Sequence, residues 1–436
     1  MDFSNYKEFF SGKRITLMGL GLLGRGVGDA EFLAQCGAQV HATDLKSPSE
    51  LASSVDYLRK YPNVTYRLGE HVVEDFTECD MIIKAAGVPL NSRYIEAARA
   101  KGIPVYMTAA LFAQFAAATG AKLIGVTGTR GKSTITHMIF HSLLHAGKRT
   151  ILGGNVRGRS TLAKIEEVRA GDIAVLELDS WQLQGFGDLK ISPSIAVFSN
   201  LMPDHLNYYP DMQTYFEDKT QIYRHQKKGD SLFVEASVAQ LVADTRPPVP
   251  AQIPPPIPSD WQLAIPGEHN RVNASLAAGA LRAAGLTESE IQSGIQSFAG
   301  IEGRLQLVRE LQGVKIINDN NATTPTATLA ALRAFSPEKT ILILGGSDKG
   351  LDLHDLCKEA LKCKKIILIP GTGTERIQEE LPDAIRVATL VEALTNARDT
   401  ALEGEIILFS PAFASFGMFK NEYDRNDQFL SIVRAL

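Results

Sequence analysis

The run Lys122-Leu-Ile-Gly-Val-Thr-Gly-Thr-Arg-Gly-Lys-Ser-Thr134 decides the fold. Its first half, Lys122 to Thr127, is a short apolar run that reads as a buried strand. Its second half is a glycine turn that opens onto an amphipathic helix from Lys132 to His145. In a strand–turn–helix unit of this kind, successive backbone N–H groups cradle an anion, Lys132 reaches a terminal phosphate, and Ser133 or Thr134 ligates Mg²⁺. The strict G-x-x-x-x-G-K-S/T pattern is missed by one position, because Val126 stands where the first glycine belongs. The rest of the loop chemistry is intact, so the segment reads as a seat for an ATP-type phosphate.

The same rhythm continues on both sides. Upstream, Arg14–Gly19 reads as a strand, Leu22–Cys36 as a helix, and Gln39–Thr43 and Asp80–Lys84 as strands. Downstream come strands at Ile173–Leu178 and Ser194–Ser199 and a helical stretch over Val272–Phe298. A third series holds strands at Val314–Asn318, Thr340–Leu344, Lys365–Ile369 and Glu405–Phe409. Apolar runs alternating with helical patterns predict an α/β protein of parallel sheets covered on both faces. Boundaries near 108–120 and 300–303 divide the chain into 1–110, 111–301 and 302–436. The proline cluster Pro247–Pro258 reads as a surface loop.

Composition bounds the answer. The 436 residues are 44% hydrophobic and 22% charged, which excludes a long disordered, collagen-like or low-complexity chain. Lys plus Arg number 45 against 49 Asp plus Glu, so there is no basic surplus of the kind that binds nucleic acid. Cys36, Cys79, Cys357 and Cys363 form no Cys-x-x-Cys pair, which argues against a disulfide scaffold or structural zinc and suits a reducing cytoplasm. Met1–Lys13 lacks an apolar signal core, and Ala109–Ala118 is about half a membrane span, so no membrane insertion is expected.

Other motifs stand at strand ends. Gly19-Leu-Gly21-Leu-Leu-Gly24 lies between the first strand and helix, with Asp44 closing the next strand, which places a nucleotide or phosphate near the first turn without specifying NAD. Glu177, at the end of a buried strand, is suited to hold Mg²⁺ beside the phosphate loop. Asp204-His205 emerges from the same sheet edge, whereas Lys219, within Phe216-Glu-Asp-Lys219, reads locally as a solvated helix charge. Asp319, Gly345-Gly346-Ser-Asp-Lys349 and Ser410-Pro-Ala-Phe-Ala-Ser415 follow three further strands and read as a second-substrate site.

The ordered set Gly128–Ser133, Glu177, Asp204-His205, Lys219, Gly267-Glu-His269-Asn270-Arg-Val-Asn273, Arg304, Asp319, Gly345-Gly346-x-x-Lys349, Ser410–Ser415 and Phe419-Lys-Asn421 resembles the Mur ligases, ATP-dependent amide-forming enzymes of peptidoglycan synthesis. The match spans essentially the whole chain and is most similar to the glutamate-adding branch. The resemblance implies three domains: an N-terminal Rossmann-like domain for the UDP substrate, a central P-loop-type ATPase domain, and a C-terminal Rossmann-like domain for the incoming amino acid. It implies that Gly128, Thr129, Arg130, Gly131, Lys132, Ser133, Thr134, Asn270, Asn273, Arg304 and Asp319 hold ATP, with Lys132, His205, Lys219 and Arg304 catalytic. Ser133, Glu177, His205 and a carbamylated Lys219 would ligate two Mg²⁺. Gly19, Leu22, Leu23, Asp44, Leu45, Gly87, Asn155, Ser180 and Gln182 would meet UDP-N-acetylmuramoyl-L-alanine, and Thr323, Lys349, Ser415, Phe419 and Tyr423 the glutamate. It further implies a monomer in the bacterial cytoplasm. A Mur ligase of different amino-acid specificity, or a folylpolyglutamate synthetase-like ligase, is the alternative. Asp179, Asn321 and Glu422 depart from the branch's usual serine, lysine and aromatic, and Glu422 is expected to point away from an acidic substrate.

Overall fold

The apolar runs of the sequence become three sheets in a computed structural model, which describes residues 3–21, 24–89, 91–156, 158, 160–204, 208–265 and 267–436. The first sheet holds β1 (Arg14–Met18), β2 (Gln39–Asp44), β3 (Val64–Leu68), β4 (Met81–Lys84) and β5 (Val105–Tyr106), in the order β3-β2-β1-β4-β5. The second holds β6 (Lys122–Thr127), β7 (Thr150–Gly154), β8 (Ile173–Glu177), β9 (Ile195–Phe198), β10 (Ser231–Val234) and β11 (Ala251–Gln252), in the order β11-β10-β9-β6-β8-β7. The third holds β12 (Gln306–Leu311), β13 (Val314–Asn318), β14 (Thr340–Leu344), β15 (Lys365–Leu368), β16 (Ile385–Arg386) and β17 (Ile406–Phe409), in the order β12-β13-β17-β14-β15-β16.

Central strands are buried on both faces, as continuous Val/Ile/Leu runs require: every residue of β8 and of β14 is buried. In the second sheet β6 lies between β8 and β9, so the chain order reverses beside it and leaves a crevice at its C-terminal end. The phosphate loop emerges there. In the first sheet β1 has the same relation to β2 and β4, and the Gly19–Gly24 turn leaves from its end.

Three sequence expectations need correction. The third sheet is not wholly parallel, because β12 pairs antiparallel with β13. Gln312 and Gly313, both at positive φ (50° and 75°), make the tight two-residue turn that joins them. The helical stretch is two helices, Glu268–Ala284 and Glu288–Gln296, separated at Gly285 (φ 98°), which stops the first. The proline cluster contains β11, a two-residue strand beside β10 at the sheet edge, where flanking prolines remove no ladder bond.

The chain forms two compact units, Met1–Trp261 with His269–Ile295, and Gln262–Glu268 with Gln296–Leu436. All four cysteines are free thiols. Among the described residues no helix is long and apolar enough to cross a membrane; the alanine-rich stretch is the buried helix Thr108–Thr119.

Candidate active site

At the end of β6 the chain must turn sharply against β9. A Cβ on Gly128 (φ 137°) would lie 1.9 Å from Ser199 Oγ, so only glycine fits. Asn200 then holds the turn from the neighbouring strand: its carbonyl accepts from Thr129 N at 2.8 Å and its Oδ1 from Arg130 N at 2.8 Å. Ser199 Oγ donates to the Arg130 carbonyl at 2.5 Å. The Thr129 side chain faces inward, accepting from Met202 N at 2.9 Å. Gly131 (φ 82°) caps the Lys132–His145 helix, whose first-turn amides, those of Ser133 and Thr134 among them, have no intrahelical acceptor and face the crevice end of the sheet. A Cβ on Gly131 would stand 2.6 Å from Asn273 Oδ1, and Asn273 Nδ2 donates to Asn270 Oδ1 at 3.1 Å. Asn270 and Asn273 therefore lie against the phosphate loop.

Lys132 Nζ donates to the carbonyls of Gly128 and Thr129, each at 3.0 Å. Lys219, from the Met212–Thr220 helix, donates to the same Gly128 carbonyl at 2.9 Å. It is 1% exposed and sits over the Tyr215 ring, its Nζ 4.7 Å from the centroid. Burial, with the Lys132 charge second, pulls its ammonium down from 10.5 to about 7, against the opposing pull of Asp179, Asp204 and Asp218. The local reading of Lys219 as a solvated charge is thus overturned: the helix turns it into the interior. Glu177 is buried at the end of β8, paired in register with Val126. Its carbonyl accepts from Asn155 N at 2.7 Å, an approach that demands Gly154 (φ 82°), whose Cβ would lie 2.0 Å from that oxygen.

The Glu177 carboxylate and the Ser133 hydroxyl at the helix start are oxygen donors of the kind Mg²⁺ takes, one or two from protein and the rest from phosphates and water. Among the described residues no three His, Cys, Asp or Glu side chains gather into a metal cluster. His205, Leu22 and Leu23 lie outside the described residues.

In the first sheet Asp44 pins the glycine turn, Oδ2 accepting from Gly21 N at 2.8 Å and Oδ1 from Lys46 N at 2.9 Å. Gly19 (φ 101°) allows the turn to approach the loop after β4, since a Cβ there would meet Ala85 Cβ at 2.8 Å. Leu45 presents a bare apolar side chain, 67% exposed, and Gly87 lies beside Trp181. Ser180 is buried, and Gln182 is committed to a capping box with Asp179 at the start of the Ser180–Leu189 helix.

The second unit gathers its own set. Asp319 accepts from Ser410 Oγ at 2.7 Å and from Leu305 N at 3.1 Å; burial pushes its carboxyl up to about 7, moderated by Ser410, by Leu305 and by the charge of Arg304. Lys349 Nζ donates to Thr323 Oγ1 at 3.2 Å, and burial holds its ammonium below the usual value. Ser415 and Phe419 are buried and joined by Phe419 N to Ser415 O at 3.2 Å, while Tyr423 N is capped by Asn421 Oδ1 at 3.0 Å.

Residues 13–107 match the N-terminal domain of MurD-like Mur ligases, 126–246 the Mur ligase middle domain, and 303–413 the Mur ligase glutamate ligase domain. The chain belongs to the Mur ligase family. A UDP-N-acetylmuramoylalanine–D-glutamate ligase of Roseiflexus sp. is 36% identical, covering 98% of this chain and 99% of its own. One of Clostridium botulinum is 33% identical over 100% and 99%. Among solved structures, the UDP-N-acetylmuramate-alanine ligase of Thermotoga maritima gives a TM-score of 0.60 at 18% identity, over 97% of this chain and 99% of that one, a likeness of fold.

The residues at which this Mur ligase departs from its branch have structural work. Asp179 accepts from Gln182 N at 2.7 Å as a helix cap. Asn321 N donates to the Gly303 carbonyl at 2.8 Å and its Nδ2 to Glu302 O at 3.2 Å, fixing the turn before Arg304. Glu422 opens the Glu422–Ala435 helix, and its charge raises the affinity of both Lys349 and Arg425 for their protons. Sequence reasoning passed over Ser199 and Asn200. Their signal was available, as the last strand residue and its successor beside a phosphate loop.

Proposed function

We propose that this Mur ligase joins D-glutamate to UDP-N-acetylmuramoyl-L-alanine with ATP as the energy source, in cytoplasmic assembly of peptidoglycan precursor. The reading is carried by one observation: the chain matches enzymes of that name end to end while keeping two lysines on one carbonyl of its phosphate loop. A carboxylate is a poor acyl donor in water and must be activated. The substrate carboxylate oxygen bonds to the γ-phosphorus, ADP leaves, and an acyl phosphate remains. The glutamate amine then adds to the acyl carbon, the tetrahedral adduct expels phosphate, and the nitrogen sheds a proton.

Lys132, the first-turn amides and Arg304 balance the charge of phosphoryl transfer. Ser133, Glu177, His205 and Lys219 would hold Mg²⁺, two ions in this reading, which would supply further charge neutralisation. The unprotonated fraction of Lys219 is the form whose nitrogen bonds to the carbon of CO₂ and releases a proton; the carbamate would be anionic, and repulsion of Lys132 would become attraction. Thr129, Arg130, Asn270, Asn273 and Asp319 serve the nucleotide, and Gly19, Asp44, Leu45, Gly87, Asn155, Ser180 and Gln182 the UDP substrate. Thr323, Lys349, Ser415, Phe419 and Tyr423 serve glutamate. The working divisions are 1–110, 111–301 and 302–436, and the enzyme acts as a monomer. The test is phosphate release from ATP, Mg²⁺ and UDP-N-acetylmuramoyl-L-alanine across D- and L-amino acids. Release that requires D-glutamate supports the reading; release indifferent to every amino acid sinks it.

A further inference from the structure

One helix face grips a single segment at both ends. Arg25 and Asp29, four residues apart on the Arg25–Gln35 helix, project side by side. Arg25 Nη1 donates to Asn155 Oδ1 at 3.0 Å and its Nη2 to the Val156 carbonyl at 3.1 Å. Asp29 Oδ1 accepts from Ser160 Oγ at 2.6 Å, and Ser160 Oγ accepts from Ala163 N at 3.0 Å. Both Asp29 and Ser160 are buried, each 8% exposed.

The chemistry of Asn155 makes this more than a tether. An asparagine amide has an acceptor end and a donor end, and either can in principle face a given direction. Arginine has donors only, so the atom facing it must be Oδ1, and Nδ2 is turned the other way. The backbone of Asn155 is fixed independently by the Glu177 carbonyl, so side chain and main chain are both set. We propose that Arg25 is a positioning residue that presents Asn155 Nδ2 as a hydrogen-bond donor to an oxygen of the UDP substrate. This rests on the UDP-substrate role assigned to Asn155 above. The Arg25 guanidinium is engaged by Asn155 Oδ1 and the Val156 carbonyl, so Arg25 acts through Asn155.

A double-mutant cycle tests this on the full chain: wild type, Arg25→Met, Asn155→Ala and the double variant, each measured for KM of UDP-N-acetylmuramoyl-L-alanine, KM of ATP, kcat and thermal midpoint. Arg25→Met should raise the UDP-substrate KM about tenfold, the loss of a charge-assisted hydrogen bond, with the ATP KM and midpoint little changed. In the Asn155→Ala background the same change should have almost no effect, and Arg25→Lys should recover only part of the loss. An equal effect in both backgrounds, or a common rise in every KM with a fallen midpoint, overturns the proposal. Calorimetric binding of the UDP substrate to the four proteins reads the coupling without turnover. Wild type that binds but does not ligate defeats the ligase reading alone, and wild type that does not bind defeats both.

Discussion

Lys132 and Lys219 place their ammonium groups on one acceptor, the Gly128 carbonyl, at 3.0 and 2.9 Å. Two cations share that oxygen, and burial (Lys219 is 1% exposed) with the Lys132 charge second makes Lys219 yield its proton easily. Two elements thus bring a lysine each to one turn, Lys132 from the helix that follows it and Lys219 from the Met212–Thr220 helix.

Lys219→Ala should lower kcat at least about a hundredfold, the scale of losing a group that organises transition-state charge. Added short-chain carboxylates should restore part of it by occupying the vacated space. Steady-state phosphate release checks both, and an unchanged rate would remove the carbamate from the account.

Lys132→Met should cost about 10²–10³ in kcat. In protein freed of CO₂, where Lys219 is a free amine, it should also raise the pKa of Lys219, because one of the causes depressing it disappears. ¹⁵N-edited titration of the lysine amine reads that shift; a pKa that stays near its wild-type value contradicts the proximity argument.

Gly131→Ala places a methyl 2.6 Å from Asn273 Oδ1 at a positive-φ position. The expected result is a KM for ATP raised by about tenfold or more with the UDP-substrate KM unaffected, since a backbone well disfavoured by about 1 kcal/mol and a displaced asparagine both act on the nucleotide side. Initial rates at varied ATP settle it.

Much of this was legible in the sequence, and for stated reasons. Lys122–Thr127, Lys132–His145, Val314–Asn318 and Thr340–Leu344 are the observed elements residue for residue, because strand ends there are marked by glycine or polar turns. Val64–Leu68 was missed since Thr65, Tyr66 and Arg67 break the apolar run on a strand at the sheet edge. The burial of Lys219 and the clasp of Arg25 on Asn155 are long-range facts that no local window contains: 91 residues separate Lys219 from Gly128 and 130 separate Arg25 from Asn155. The β12–β13 hairpin did carry a signal, Gln312-Gly313, hidden by the expectation of a uniformly parallel sheet.

Asp319 gives a pH prediction. Its carboxyl titrates at about 7 in the folded chain against 3.8 as a free side chain, so between those values the folded state holds a proton the unfolded state has lost. That contribution to stability is complete below 3.8 and is lost as pH rises to about 7. Asp319→Asn should therefore flatten the fall in urea midpoint between about pH 5 and pH 7 relative to wild type. Parallel curves for the two proteins would show that the proton is not there.

Lys349 and Thr323 are joined at 3.2 Å, and Lys349→Met should raise the glutamate KM about ten- to a hundredfold while leaving those for ATP and the UDP substrate in place. A uniform rise would move Lys349 out of the amino-acid site.

The most direct measurement is mass spectrometry of the UDP-sugar after incubation with ATP, Mg²⁺ and either enantiomer of glutamate. The account predicts conversion to a species one glutamyl residue heavier with the D form and none with the L form. ATP consumed with the UDP-sugar unchanged in mass would contradict it.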